Sequence, residues 1–253
     1  PSFGDAGQMF DPLVYLGALS QATSRIGLGV ASLILPLRHP AHVAKAAASA
    51  DVLSGGRLLL GVASGDRPQE YPALNMSFED RGARFRDAFG YIRQVLGDYP
   101  RFDSDHGRLD GSMDMLPKPT AGRIPMLVTG SSRQLMPWIG ENADGWITYP
   151  RDPSGQGKAL AEFRTNVPDE GGLSRPVMQS LYVDLVADDD ASPSPIHLGF
   201  RSGLGYLTSY LAAMEEAGVN HVALNLRFNG ADVEETLERL ASGLLTRFPT
   251  HEG

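Results

Sequence analysis

A strand, a helix and a second strand follow one another between Ile26 and Ala63, and this order constrains the fold more than any other feature of the sequence. Ile26 to Leu35 is apolar almost throughout, as expected of a strand buried on both faces. His39 to Leu53 has helical spacing, and Arg57 to Ala63 is a second apolar strand. Since parallel strands need a crossover between them, the segment is predicted to be a βαβ unit. The helix side predicted to be buried consists of Val43, Ala46, Ala47, Ala50 and Leu53.

The same alternation continues to the end of the chain, which predicts a parallel sheet with its helices outside. The six strand–helix units are two fewer than a (β/α)8 barrel has. An open, doubly wound sheet fits the alternation equally well. The further strands are predicted at Ile124–Gly130, Gly145–Tyr149, Val177–Val186 and His221–Leu226, and their helices at about Gln134–Asn142, Ala159–Asn166, Leu204–Ala217 and Val233–Phe248.

One connection, Asp98–Arg123, is much longer than the few residues that usually join a helix to the next strand. A long insertion can form a lid or a substrate wall. A helix-to-strand connection, however, lies on the face of a barrel that usually serves stability. The favoured prediction is therefore a loop that packs against a neighbouring subunit or covers the barrel floor.

Composition narrows the class of protein. The chain has 253 residues, of which 42% are hydrophobic, enough for one domain with a sizeable core. A formal net charge of −8 argues against nucleic acid or an anionic membrane as a partner. No apolar run approaches the roughly 18 residues of a membrane-spanning helix, and no signal-peptide pattern is present. The absence of cysteine excludes disulfides and thiolate metal sites, and is consistent with a cytoplasmic enzyme.

Small residues stand at the ends of three predicted strands, where a ligand would approach. Ala31-Ser32 and Ala63-Ser64-Gly65 carry almost no side-chain bulk. Thr129-Gly130-Ser131-Ser132 ends a strand and begins a helix, so its backbone N–H groups and hydroxyls could bind an anion. Ordinary helix capping by Ser131 or Ser132 would produce the same pattern.

Other candidate groups give weaker signals. Ser64 is not at the nucleophile position of a G-x-S-x-G motif. His39 and His42 have a spacing that metal ligands can have, but no acidic residue or further histidine lies near them in the sequence. A local hydrogen bond from His39 is therefore favoured over a catalytic role. Arg201 could hold a substrate acid or a phosphate, and a plain surface arginine is equally compatible with the sequence.

Several short motifs, in this order and spacing, resemble the luciferase-like flavin monooxygenases. That family includes alkane and alkanesulfonate monooxygenases and deazaflavin-dependent oxidoreductases. The resemblance covers nearly the whole chain. The matching motifs are Leu35-Pro36-Leu37-Arg38-His39-Pro40, Ala44-Lys45-Ala46-Ala47-Ala48, Leu53-Ser54-Gly55-Gly56-Arg57, Gly61-Val62-Ala63-Ser64-Gly65 and Arg81-Gly82-Ala83-Arg84-Phe85.

The resemblance implies a fold. Residues 1–253 would form a single (β/α)8 TIM barrel domain, incomplete at its N-terminus. In the resembled family a helix like Asp11–Ser20 precedes the third barrel strand, so the first two βα units would be missing from this numbering, and Pro1–Phe10 would be loop. Family members usually dimerise, which here implies a homodimer through Asp11–Ser20 and His39–Leu53.

The resemblance also implies a function, an FMN-dependent oxidoreductase. The enzyme would be a monooxygenase that uses reduced FMN, supplied by a separate flavin reductase, and O2 on a small organic substrate. Alternatives are hydride transfer with a deazaflavin coenzyme, a non-catalytic flavin-binding protein, and, as an outsider, a metal-dependent barrel hydrolase. The substrate is not implied.

Site residues follow from the same resemblance. Ala31, Ser32, Ala63, Ser64 and Gly65 would lie against the flavin, and the matching 31–32 bond of the family is often a non-proline cis peptide. Ser64 stands where the family can have an arginine for the flavin phosphate, which leaves that phosphate less well neutralised. His39 and Arg201 are the catalytic candidates, and no metal ligands are predicted. The phosphate would be held by Thr129, Gly130, Ser131 and Ser132.

Overall fold

The computed structural model describes residues 9–168 and 175–249, in two compact units, Pro1–Asp144 and Gly145–Gly253. Most of the predicted loop Pro1–Phe10 lies outside the described residues. The other predicted strands and helices are confirmed, with bounds that mostly move by a few residues. The first unit contains α1 (Pro12–Ala22), β1 (Leu28–Ile34), α2 (Pro40–Ser54), β2 (Leu58–Ala63), α3 (Arg81–Val95), β3 (Arg101–Ser104), β4 (Gly107–Asp110), β5 (Met126–Thr129) and α4 (Met136–Asn142).

Three parallel strands, in the order β1–β2–β5, form the main sheet of the first unit. The register between β1 and β2 contains one irregularity, because Val30 pairs with Leu60 whereas Leu33 pairs with Val62. Two residues of β1 therefore stand opposite one residue of β2, as in a β-bulge. The Ala31–Ser32 peptide in this bulge is cis, as the resemblance implied, but it lies in the middle of β1, so its predicted position at a strand end is wrong.

Local sequence sets both ends of α2. Pro40 occupies the first turn, where its missing N–H costs nothing, and the ring of His39 accepts a hydrogen bond from the Ala41 N–H. Gly55, with φ +70°, ends the helix in the left-handed conformation. The predicted buried side is correct for Val43, Ala47 and Ala50 but wrong for Leu53, which is 56% exposed.

The long connection contains an antiparallel hairpin, β3–β4, that the sequence analysis missed. Its short, charged strands have little apolar alternation, which is the usual signal of a strand. The hairpin packs on α3, since Phe102 lies edge-on to Tyr91 with ring centroids 4.9 Å apart. His106, in the turn, bonds the Asp87 carboxylate at 2.5 Å. The lid and subunit-contact interpretations of this segment stay predictions.

The second unit is also built on parallel strands. β6 and β10 both pair in parallel with β7, and β7 packs on α6 and α7 through a core that includes Leu181, Leu207 and Leu240. An excursion of two strands after β7 was not predicted: β9 pairs in parallel with β7, and β8 pairs with β9 in the antiparallel sense. The elements are β6 (Gly145–Thr148), α5 (Pro153–Thr165), β7 (Val177–Leu185), β8 (Ser194–Ile196), β9 (Gly199–Ser202), α6 (Leu204–Ala217), β10 (His221–Asn225) and α7 (Val233–Leu244).

Both units confirm the α/β class, with parallel strands joined by helices. Closure into a complete barrel and a single domain over the whole chain stay predictions. Within the described ranges, every helix is too short or too polar to span a lipid bilayer.

Candidate functional site

The ends of β2 and β5 meet in the first unit, where the sequence placed its candidate cofactor residues. The strands are parallel and adjacent, so their carboxyl ends lie at one edge of the sheet. The Ser64 N–H donates to the Ser132 hydroxyl at 3.3 Å, and that hydroxyl donates to the Thr129 carbonyl at 2.8 Å. The structure therefore brings two of the predicted segments, 63–65 and 129–132, into direct contact.

The backbone around these contacts adopts conformations that side chains disfavour. Gly130, Ser132 and Arg133 have φ values of +57°, +44° and +63°. Non-glycine residues rarely take such values, and they cluster at sites where the surrounding structure imposes them. Gly65 has φ +78°, and a Cβ added there would lie 2.9 Å from Cγ2 of Ile34. The site thus depends on close backbone packing that only glycine permits at position 65.

Tyr71, in the loop that follows β2, holds the Ser64 turn in place through a hydrogen bond. It is fully buried, and its hydroxyl donates to the Ser64 carbonyl. Its ring lies edge-on to Phe78, with centroids 5.1 Å apart, and the Arg81 guanidinium lies 3.5 Å from the centre of the Phe78 ring. Burial raises the pKa of Tyr71 above its usual value near 10, so the hydroxyl stays a donor at neutral pH.

Gln134 ties the 130–134 loop to the start of α3, a role that the sequence analysis missed. Its side-chain N–H2 donates to the carbonyls of Gly82, at 2.8 Å, and of Ser132, at 3.1 Å. Its side-chain oxygen accepts from Nε of Arg86 at 2.9 Å. A lone glutamine carries no sequence signal for such contacts, because they depend on residues about fifty positions away.

Three of the five buried polar side-chain atoms that lack a partner in the described residues lie in the first unit, and the other two, Nε2 of Gln156 and Oε1 of Gln179, lie in the second unit. In the described part of the chain, Nε of Arg81, Nε of Arg84 and Oγ1 of Thr129 are buried and make no hydrogen bond. Leaving such groups unsatisfied costs about 1–3 kcal/mol each. Two of them belong to cations on the first turn of α3, so the chemistry fits an anionic group such as a cofactor phosphate. The Arg81-Gly-Ala-Arg84 motif was the sequence signal for these arginines.

His39 lies outside this network. Its Nδ1 accepts the Ala41 N–H at 3.3 Å, which confirms the predicted local hydrogen bond. Its ring is edge-on to those of His42, Tyr91 and His106, at centroid distances of 5.8–6.0 Å. In the chain as described, no group of three histidine, aspartate or glutamate side chains is arranged to hold a metal ion. A catalytic role for His39 stays a prediction.

Arg201 belongs to the second unit, on β9, where it is already engaged. Its guanidinium donates to the Asp184 carboxylate at 2.8 Å, and the second oxygen of Asp184 accepts from the Gly230 N–H at 2.9 Å. The arginine side chain is 55% exposed and that of the aspartate 10%. Through this pairing Arg201 links β9 to β7, and Asp184 links β7 to the loop after β10. A catalytic role for Arg201 stays a prediction.

Comparison with known protein families shows which family the chain belongs to. The model of the luciferase-like monooxygenases matches residues 2–192. The chain belongs to this family. A protein of Mycobacterium tuberculosis, described as uncharacterized, is 31% identical over 79% of this chain and 70% of its own length. The F420-dependent glucose-6-phosphate dehydrogenase of the same organism is 31% identical over 58% of this chain and 44% of its own length.

Solved structures share the fold. An F420-dependent secondary alcohol dehydrogenase in complex with an F420–acetone adduct matches with a TM-score of 0.78 and 19% identity, over 96% of this chain and 86% of that chain. A type II Baeyer–Villiger monooxygenase of Pseudomonas putida in complex with FMN matches with a TM-score of 0.58 and 18% identity, over 72% of this chain and 56% of that one. The proteins that this chain is similar to thus include ones described as F420-dependent and one described in complex with FMN.

Proposed function

We propose that the chain is a deazaflavin-dependent oxidoreductase whose cofactor lies at the strand ends of the first unit. The observation that carries the proposal is the hydrogen bond between the Ser64 and Ser132 turns, together with the buried Nε atoms of Arg81 and Arg84 and the buried Thr129 hydroxyl, which have no hydrogen-bond partner within the described residues. A named F420-dependent dehydrogenase at 31% identity supports the choice of a deazaflavin. An FMN-dependent monooxygenase is the second candidate, supported by the likeness to an FMN-bound monooxygenase fold.

Within this proposal each group of residues has a distinct task. Ala31, Ser32 and Ala63 leave room for the flat ring. The loop from Gly130 to Ser132 lets the phosphate approach the backbone closely, and the Ser131 hydroxyl, which only accepts a hydrogen bond within the described residues, can donate to the phosphate. The list of proposed cofactor residues is completed by Ser64, Gly65, Thr129, Ser131, Arg81 and Arg84.

The bound cofactor would supply the redox chemistry, and the protein would bind it, orient it and exclude water. Arg81 and Arg84 can supply the positive charge that Ser64, standing at the family's arginine position, does not. Their unpartnered Nε groups are the donors that a phosphate would satisfy. The substrate is a small organic molecule under either candidate, and a separate flavin reductase is needed only under the FMN alternative.

Titration of the purified protein with a deazaflavin cofactor and with FMN, followed by absorbance and fluorescence, tests the proposal. Tight binding of the deazaflavin and its reduction by a substrate are expected. Replacing Gly130 with Val should weaken binding at least tenfold, about 1.4 kcal/mol, because a β-branched side chain is strained at φ +57° and blocks close approach of the phosphate.

Gly122→Val is the matched control, since Gly122 has φ +76° with open space around its Cα. It should leave the affinity unchanged. Equal affinity of the Gly130→Val and wild-type proteins, both folded by circular dichroism, would reject the placement. Oxygen-dependent turnover with reduced FMN would select the second candidate. Binding without turnover of any substrate would instead indicate the non-catalytic alternative.

A homodimer is proposed through α1 and α2. A groove of about 550 Å³ runs between these helices. Its wall includes Val14, 71% exposed, and Leu53, 56% exposed. Large apolar side chains exposed along one groove are typical of an interface that another molecule covers. Light scattering at micromolar concentration should give twice the chain mass, and Leu53→Glu should give the chain mass. A monomeric wild-type protein would contradict the proposal.

A further inference from the structure

Four arginines surround the proposed phosphate loop although the chain as a whole is acidic. Arg81, Arg84, Arg86 and Arg133 lie at the start of α3 and in the loop after β5. In residues 9–168 and 175–249, no carboxylate oxygen lies within 4.0 Å of any of the four, whereas the nearby Arg93 and Arg123 both pair with Asp144. A terminal phosphate next to Arg81 and Arg84 would leave the charges of the other two uncompensated.

Arg86 and Arg133 line a groove of about 500 Å³ between α3 and the loop. The groove begins beside the phosphate loop, because Gln134 in its wall donates to the Ser132 carbonyl. Gly82 allows the close approach of the two walls: a Cβ there would lie 2.8 Å from Cβ of Arg133. The remaining members of the wall are Ala83 and Asp87.

The two guanidinium groups differ in how firmly they are held. Arg86 donates through Nε to Gln134 and lies 5.5 Å from the centre of the Trp138 ring, so its outer N–H groups are oriented in advance. Arg133 is exposed, and within residues 9–168 and 175–249 its guanidinium makes no hydrogen bond or ion pair. Among the described residues that line the groove, Asp87 is the one acidic group, and its carboxylate is bonded to His106. The free donors of the groove are therefore mainly cationic.

We infer that this groove binds an anionic chain that continues outward from the cofactor phosphate, of the kind formed by the carboxylates on the tail of a deazaflavin coenzyme. This inference rests on the proposed function. Carboxylates match the planar fork of a guanidinium in geometry and in charge. FMN ends at its phosphate and leaves the groove empty, so the groove gives the protein a physical basis for selecting the longer cofactor.

Binding of three ligands tests the inference: the deazaflavin coenzyme with an oligoglutamate tail, the same coenzyme without its glutamates, and FMN. The wild-type protein should bind the tailed form at least tenfold more tightly than the tail-less form. In Arg133→Gln the ratio should fall to about threefold, and in the Arg86→Gln/Arg133→Gln double variant to about one. The affinity for the tail-less form should change less than twofold in Arg133→Gln.

Arg123→Gln is the matched control, since Arg123 is an exposed arginine of the same unit that lies outside the groove. It should keep the wild-type ratio. Equal binding of tailed and tail-less forms by the wild-type protein, or an unchanged ratio in Arg133→Gln, would overturn the inference while leaving the proposed function intact. If neither deazaflavin binds, both the inference and the proposed cofactor are rejected. Because glutamine keeps the Cβ that packs near Gly82 and the guanidinium of Arg133 makes no hydrogen bond or ion pair within the described residues, the substitution should not impair folding, and circular dichroism checks this.

Discussion

The carboxyl ends of the strands differ between the two units in the residues they carry and in how the polar groups near them are hydrogen-bonded. In the first unit, the ends of β2 and β5 carry glycine, alanine and serine, and polar atoms near them are left without partners. In the second unit, the end of β7 carries Asp184, whose two oxygens are taken by Arg201 and by the Gly230 N–H. The first edge has two arginine Nε atoms without a partner nearby, whereas the second pairs its arginine within the protein, although Nε2 of Gln156 and Oε1 of Gln179 in that unit also lack partners among the described residues. Residue type alone therefore does not identify a site, since what matters is whether the polar groups are already satisfied.

Two tyrosines, Tyr71, which is fully buried, and Tyr210, which is partly buried, show the same contrast. Tyr71 supports the ligand edge through the Ser64 carbonyl. Tyr210, on α6, accepts from Gln179 at 2.8 Å and donates to the Arg151 carbonyl at 3.3 Å, so it joins elements within the second unit. The two phenols do similar work for stability, but only the first touches a proposed cofactor residue.

The largest effects, on stability and on cofactor binding, are expected from substitutions at two glycines. At Gly199 an added Cβ would lie 1.8 Å from the Tyr182 carbonyl oxygen, and neither backbone can move without breaking the β7–β9 pairing. Gly199→Ala should lower the free energy of unfolding by about 3 kcal/mol, the upper end for overpacking. Gly65→Ala should cost about 1–2 kcal/mol for its positive φ and, in addition, weaken cofactor binding at least tenfold.

Chemical denaturation and cofactor titration of both glycine variants separate these effects. The folded fraction of Gly199→Ala should bind cofactor like the wild type. A loss of cofactor affinity in Gly199→Ala, or an unchanged cofactor affinity in Gly65→Ala, would contradict the proposed difference between the two units.

Replacing either of these two tyrosines with phenylalanine is expected to have an intermediate effect. Tyr71→Phe and Tyr210→Phe should each cost about 1–2 kcal/mol of stability, because a buried partner loses its hydrogen bond. Only Tyr71→Phe should weaken cofactor binding, about threefold to tenfold, because the Ser64 turn loses its support. Isothermal titration of both variants checks this, and equal affinities in the two would contradict it.

The two tyrosines should also affect how the stability of the protein depends on pH in the alkaline range. Burial raises the pKa of both phenols, so the unfolded chain loses these protons near pH 10 while the folded chain keeps them. Their contribution to stability is therefore fully present below pH 10 and is lost as the pH rises above it. Each phenylalanine variant should show a shallower loss of stability between neutral pH and pH 11 than the wild type, measured by urea denaturation.

Arg201→Gln should have the smallest effect. The arginine side chain is mostly exposed, and Asp184 keeps its bond from Gly230, so the stability loss should stay below about 1 kcal/mol. Turnover should stay within about threefold of the wild-type rate. A loss of kcat of a hundredfold at unchanged stability would instead establish the catalytic role that the sequence suggested.

The sequence by itself determined the α/β class, the positions of most helices and strands, and the small residues at the strand ends. These features follow from local rules: apolar runs make buried strands, and proline and glycine set helix ends, as at Pro40 and Gly55. The family motifs added the cis bond between Ala31 and Ser32.

Tertiary structure decided what those rules cannot reach. It joined Ser64 to Ser132 across 68 positions of sequence and tied Gln134 to Gly82 across 52. It also folded the β3–β4 hairpin onto α3 and paired Arg201 with Asp184. The energy of such contacts depends on which distant groups meet and are already satisfied. A glutamine or an arginine has the same local preferences whether it braces a loop or lies free at the surface, so only the assembled fold distinguishes these roles.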